Sequence, residues 1–232
     1  MLYLGGGGDT ADEYKLWDLA FQPGYKVTIW PFAHGPEMLD FILGYVKDEL
    51  NPRGDYTLTV GDKGPHYGLE DADLLHIPGG NTFALLAYVR EHGMEQSLLS
   101  FLARGGKVYG TSAGSLLLAR DINIINSALG PTGDRNDVKL EDTTGLNFLQ
   151  GMDVYPHYKA DSEPQRVFCQ KWADEHAVPV AGLDECGGLT VDDKGKAYNP
   201  GPADVVIHMP GSEPVILKEG ETWSLKDRKK EA

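Results

Sequence analysis

Five short apolar runs, separated by helical patterns, occupy the first 110 residues. The runs are Leu2-Tyr3-Leu4, Val27 to Trp30, Thr57 to Val60, Leu74 to Ile77 and Lys107 to Tyr109. Each is strand-sized and bounded by turn residues. Thr10 followed by Glu13 has the spacing of a capping box and predicts a helix to about Ala20. Pro36 and Glu37 suit the first turn of a second helix, with Met38, Phe41, Ile42 and Tyr45 on one face. A third follows Asn81, and a fourth covers about Met94 to Ala103, stopped by Gly105-Gly106. Strand–helix–strand order repeated in this way predicts an α/β protein: a mostly parallel sheet flanked by helices on both faces. Ligands in such sheets bind at the carboxyl ends of the strands. Three loops fall there: Gly5 to Asp9, Pro78 to Thr82 and Gly110 to Ser115.

The second half is less regular. Residues 121–150 show no period and read as a long excursion. Asp153-Val154-Tyr155 reads as a strand leading to Pro156-His157-Tyr158, and Ser162 with Gln165 as the cap of a helix through Val167, Phe168 and Trp172. Val178 to Leu183 reads as a strand. Leu189 to Val191 and Lys196 to Tyr198 read as a hairpin. Val205 to Met209, Pro214 to Leu217 and Thr222 to Leu225 predict small antiparallel C-terminal strands. Lys226 to Ala232 reads as a charged, solvated tail. Without repeats or low-complexity linkers, residues 1–232 read as a single domain.

Charge and composition remove several classes of function. A formal net charge of −14 argues against nucleic acid and anionic membranes, both of which need clustered Lys and Arg. No apolar stretch is long enough to span a bilayer, and the start lacks the basic region of a signal peptide. The two cysteines, Cys169 and Cys186, form no disulfide framework. These features predict reduced thiols and a cytoplasmic location. No histidine pair or Cys/His cluster has metal-ligand spacing, so neither metal nor cofactor is expected.

Gly110-Thr111-Ser112-Ala113-Gly114 matches G-x-S-x-G, with a strand before it and an apolar helix pattern from Ser115 to Ala119 after it. A nucleophile between a strand and a helix sits in a strained turn and needs small neighbours two positions away on each side. The helix start contributes amide N–H groups that favour a developing oxyanion. The same pentapeptide also suits a tight connection whose serine only caps the helix. Pro78-Gly79-Gly80-Asn81-Thr82 lets a backbone N–H approach a substrate oxygen, with Asn81 placed as a helix N-cap. The N–H groups of Gly80 and Ala113 are therefore the candidate oxyanion hole. Of the seven histidines, His157 follows a strand, His76 lies inside an apolar strand and reads as a satisfied core residue, and His176 lies near a helix end.

Taken together, Ile77 to Phe83, Gly110 to Ser115 and Pro156-His157-Tyr158 resemble the aspartyl dipeptidase (peptidase E) family, whose relatives include cyanophycinase. The resemblance implies a three-layer, flavodoxin-like fold similar to class I glutamine amidotransferases, with serine at the elbow. It implies a serine peptidase acting on short peptides through an acyl-enzyme, with Ser112 as nucleophile and His157 as base. It places the acid in Gly182 to Gly187, at Glu185 first and Asp184 second, with Asp137 as an auxiliary acid or substrate ligand. Gly79 and Asn81 are implied substrate contacts, and a small peptide is the implied partner. The aspartate-specific members carry an arginine-containing run soon after their histidine. In Lys159 to Arg166 only Arg166 can substitute, and its position is shifted onto a helix. Two alternatives remain: an α/β-hydrolase esterase using Asp137 or Asp142, and a catalytically silent amidotransferase-like binding module. Nothing decides between a monomer and a homodimer.

Overall fold

The structure, a computed structural model, describes residues 1–9, 11–62 and 65–231. The first half alternates as the apolar runs predict. Strand β1 (Leu2–Gly5) is followed by α1 (Tyr14–Ala20), β2 (Tyr25–Ile29), α2 (Leu39–Leu50), β3 (Tyr56–Val60), β4 (Leu74–Ile77), α3 (Thr82–Glu91), α4 (Glu95–Ala103), β5 (Lys107–Thr111) and α5 (Ala113–Leu118). The second half contains β6 (Asp153–Tyr155), α6 (Glu163–His176), β7 (Val180–Gly182), β8 (Gly188–Val191), β9 (Lys196–Tyr198), β10 (Val205–His208), β11 (Val215–Leu217), β12 (Thr222–Ser224) and β13 (Lys229–Glu231). Among the described residues the strands form a nine-stranded sheet, β13-β12-β9-β8-β1-β5-β4-β2-β3, and a four-stranded sheet, β11-β10-β7-β6.

From β1 through β5, β4 and β2 to β3 the large sheet is parallel. Side chains alternate between its faces, as a period of two requires. Tyr3, Leu74 and Tyr109 pack with Trp17 of α1 and Ile42 and Val46 of α2, while Leu2, Leu75 and Val108 pack with α3, α4 and α5. Burial on both faces makes β4, Leu-Leu-His-Ile, apolar throughout save His76. Because β1, β5 and β4 are neighbours, the loops leaving their carboxyl ends lie side by side. Among the described residues no helix is long and apolar enough to cross a membrane.

Three sequence expectations change. Lys229–Glu231 is not a free tail; its backbone pairs with β12. Thr10 lies outside the described residues, and among the described residues Glu13 makes no side-chain cap: its carboxylate turns inward, and the residue is 2 % exposed. Ser162 precedes α6 but makes no side-chain cap, and Gln165 instead accepts a hydrogen bond from the Lys159 N–H.

The second sheet is fixed through Asp153 of β6. Its fully buried carboxylate accepts from Arg120 at 2.6 Å, from the Trp172 indole at 2.8 Å and from the Asp121 N–H at 2.9 Å. Arg120→Ala leaves that charge without its counter-ion and should destabilise the protein by on the order of 3 kcal/mol in urea unfolding. An unchanged midpoint would show that Asp153 does not depend on the pair.

Candidate active site

Between β5 and α5 the chain turns at Ser112 with φ 50° and ψ −108°. A non-glycine residue rarely occupies that region, at a cost of about 1–3 kcal/mol. The turn also needs small neighbours. An ideal Cβ on Gly110 would lie 2.4 Å from the Gly114 carbonyl carbon, and one on Gly114 would lie 2.1 Å from the Ile77 carbonyl oxygen.

Ser112 Oγ lies 3.0 Å from His157 Nε2, and His157 Nδ1 lies 3.1 Å from Glu185 Oε1. With its proton on Nδ1, the imidazole donates to Glu185 and presents an acceptor to the serine hydroxyl. Glu185 Oε2 accepts from Lys159 Nζ at 2.8 Å. That bond first, and His157 second, hold the Glu185 carboxyl below its ordinary range. Asp184 is turned elsewhere, accepting the Cys186 N–H at 2.9 Å. His157 has a positive φ of 53° and is gripped at both backbone atoms. Its N–H donates to the Gly6 carbonyl at 2.8 Å, and its carbonyl accepts from Gln165 Nε2 at 3.1 Å.

The loop after β1 joins these parts. Ser112 N–H donates to the Gly5 carbonyl at 3.1 Å, and Gly6 N–H to the Gly187 carbonyl at 3.1 Å. An added Cβ on Gly6 would lie 1.9 Å from the Asp184 carbonyl oxygen; on Gly7 it would lie 2.4 Å from His157 Cε1 and 3.0 Å from Ser112 Cβ. Beneath the loop is Glu13, which sequence reading assigned to a cap. Its Oε1 accepts from Gly7 N–H at 2.7 Å, Gly8 N–H at 3.3 Å and Thr111 Oγ1 at 2.9 Å, and its Oε2 from the Tyr109 hydroxyl. Burial pushes its carboxyl up to about 7 against the pull of those donors, Tyr109 foremost.

The remaining candidates divide. Gly7, Gly79 and Gly80 line a cavity of about 400 Å³ with Ser112 and His157. The Gly80 and Ala113 N–H groups have no hydrogen-bond partner among the described residues. Asn81 is a genuine N-cap: Oδ1 accepts Ala84 N–H at 2.9 Å and Nδ2 donates to the Arg135 carbonyl at 2.9 Å, so both ends of its amide are engaged within the chain. Asp137 is not brought here; it is exposed and pairs with Arg135 at 3.1 Å. Asp142 pairs with Arg90 at 3.2 Å. Arg166 donates to the Ala160 carbonyl and lines a separate cavity of about 1130 Å³. His76 is buried and held neutral, its pKa pushed down to about 3 by burial; Nδ1 meets the Tyr109 carbonyl, but Nε2 has no partner among the described residues.

Two outcomes follow from this geometry. Gly7→Ala displaces the imidazole, so Ser112 should react with a small fluorophosphonate on the order of 10²-fold more slowly. An unaltered rate would mean the ring does not rest on Gly7. Glu13 carries its proton in the folded state at pH values where the unfolded chain, near the ordinary 4.5, has lost it. Stability from this group is complete below about pH 4.5 and falls as pH rises toward 7. Relative to Glu13→Gln, the wild-type unfolding free energy should therefore decline across that window; a pH-independent difference between the two proteins would contradict it.

Comparison with known proteins identifies the family. The model of peptidase family S51 matches residues 44–198. Peptidase E of Escherichia coli O1:K1 / APEC is 28 % identical over 169 residues, spanning 68 % of this chain and 69 % of that protein. Two solved structures share the fold. A peptidase from an acI-B1 Actinobacterium superposes with a TM-score of 0.69 at 19 % identity, covering 96 % of each chain. A Listeria monocytogenes EGD-e protein assigned as a peptidase E gives 0.63 at 20 % identity, covering 94 % of this chain and 97 % of that one. With a family match over well more than half its length, the chain belongs to peptidase family S51 and is a serine peptidase.

Proposed function

We propose that the protein hydrolyses short peptides, on the scale of dipeptides, through an acyl-enzyme on Ser112, with residues 1–232 acting as one catalytic unit. The observation that carries this is the continuous relay from Ser112 Oγ through His157 to Glu185, at 3.0 Å and 3.1 Å. His157 Nε2 takes the serine proton as Oγ adds to the substrate carbonyl carbon. The negative charge that develops on the carbonyl oxygen is received by the N–H groups of Gly80 and Ala113. As the C–N bond breaks, the imidazolium returns its proton to the departing amine. Water then repeats the sequence on the ester and frees Ser112. Glu185 fixes the imidazole tautomer and stabilises the imidazolium, while Lys159 keeps Glu185 ionised. Gly79 borders the nucleophile: a Cβ there would lie 3.3 Å from Ser112 Cβ, so the glycine leaves room for substrate backbone.

Ser112→Ala should lower dipeptide turnover by roughly a million-fold. Glu185→Gln should lower kcat by about 10⁴-fold, because the relay loses both the correct tautomer and a counter-ion for the imidazolium. The check is dipeptide hydrolysis by purified protein, with fluorophosphonate labelling and peptide mapping alongside. Retained activity in Ser112→Ala, or a label on another residue, would remove this mechanism.

A further inference from the structure

The wall of the catalytic cavity has a character that acyl transfer alone does not require. Part of its lining is apolar: Phe41, Ile42 and Tyr45 of α2, together with Pro78. Ile42 is buried, but Phe41 keeps 69 % of its surface exposed. A large apolar side chain left uncovered at a cavity mouth forgoes burial that would otherwise stabilise the fold. The lining also carries Asp9, an exposed carboxylate whose Oδ1 accepts the Ala11 N–H at 2.9 Å. Asp9 is the one carboxylate among the described lining residues. Among the described residues the lining contains neither lysine nor arginine, and Arg166 lies in another cavity.

We propose that this cavity receives the amino-terminal residue of a peptide whose side chain is apolar and of leucine or phenylalanine size, its α-ammonium facing Asp9. The proposal rests on the peptidase reading of Ser112 and names the substrate class for it. The side chain covers Phe41 and lies against Ile42, Tyr45 and Pro78, while the carbonyl carbon of the same residue meets Ser112. Contacts of this kind discriminate by about one to two orders of magnitude in kcat/KM. An acidic side chain in the same place loses water and finds no lysine or arginine in the described lining, only the imidazoles of His34 and His157, with the Asp9 carboxylate of its own sign nearby.

The test measures kcat/KM for Phe-Leu, Leu-Leu, Ala-Leu, Asp-Leu and N-acetyl-Phe-Leu with the full chain, using Ser112→Ala as blank. Phe-Leu and Leu-Leu should exceed Asp-Leu by at least about tenfold. Acetylation, which removes the ammonium, should lower kcat/KM for Phe-Leu by about tenfold, and Asp9→Asn should shrink that penalty. Phe41→Ala, a change on the surface, should narrow the ratio of Phe-Leu to Ala-Leu. Asp-Leu turned over as fast as Phe-Leu would overturn the proposal, as would an acetylation effect indifferent to Asp9 or a ratio indifferent to Phe41. Fluorophosphonate labelling separates two kinds of failure. A Ser112 adduct without the expected preference removes only the substrate class. Neither adduct nor hydrolysis of any dipeptide removes the peptidase mechanism as well.

Discussion

The arrangement depends on the close approach of three loops to the backbone of Gly5-Gly6-Gly7-Gly8. The elbow loop hydrogen-bonds to Gly5, the histidine to Gly6, and the segment ending at Gly187 to the Gly6 N–H. No side chain fits at the contact points: the Asp184 carbonyl closes on Gly6 and the His157 ring on Gly7. Glycine makes this approach sterically feasible but gives the unfolded loop more freedom to lose, roughly 0.5–1 kcal/mol per residue relative to alanine. Glu13 counters that freedom by collecting the Gly7 and Gly8 N–H groups on a carboxylate that also holds Thr111 and Tyr109 of β5. One buried side chain thus ties the loop after β1 to the strand that delivers the nucleophile. Burial outweighs the pull of those donors, so the carboxyl keeps its proton to higher pH than a free glutamate does.

What the sequence discloses follows from which features leave a periodic trace. β1, β4 and β5 are buried on both faces, and helices with apolar stripes lie between most of the first five strands, so the alternation and its parallel pairing class are legible at once. Ser112 is legible because a strained turn between strand and helix restricts its neighbours to small residues, and that restriction is written within five positions. β13 leaves no trace: Lys229–Glu231 is a charged segment whose place is fixed by backbone pairing with β12, not by side-chain pattern. Three-residue strands such as β6 and β7 are too short to show a period of two, so the second sheet is not visible as a sheet.

Site residues divide along the same line. His157 has no local signature of its own; its geometry comes from Gly6, one hundred and fifty-one positions earlier in the chain, and from Gln165 on α6. The same rule reads both Glu13 and Gln165 as caps. A serine or threonine three residues before a glutamate or glutamine suggests a reciprocal cap. Spacing does not fix the direction of the longer side chain, and here both turn from the helix start toward the catalytic loops. Asn81, by contrast, is legible as an N-cap because its short amide reaches little beyond its own helix and the passing chain.

The acid of the relay shows how local charge is separated from a net charge of −14. Glu185 divides its two oxygens between His157 and Lys159, and Lys159 also lies 3.7 Å from Asp184. Sharing the acid with a lysine keeps Glu185 ionised beside the imidazole. The imidazole can then accept the serine proton and still be stabilised once it has done so. On the far side of Ser112 the described cavity lining carries Asp9 with no lysine or arginine beside it. The histidine end of the site thus joins nucleophile, imidazole and acid, while the cavity end presents Asp9, the carboxylate that the proposed peptide ammonium would meet.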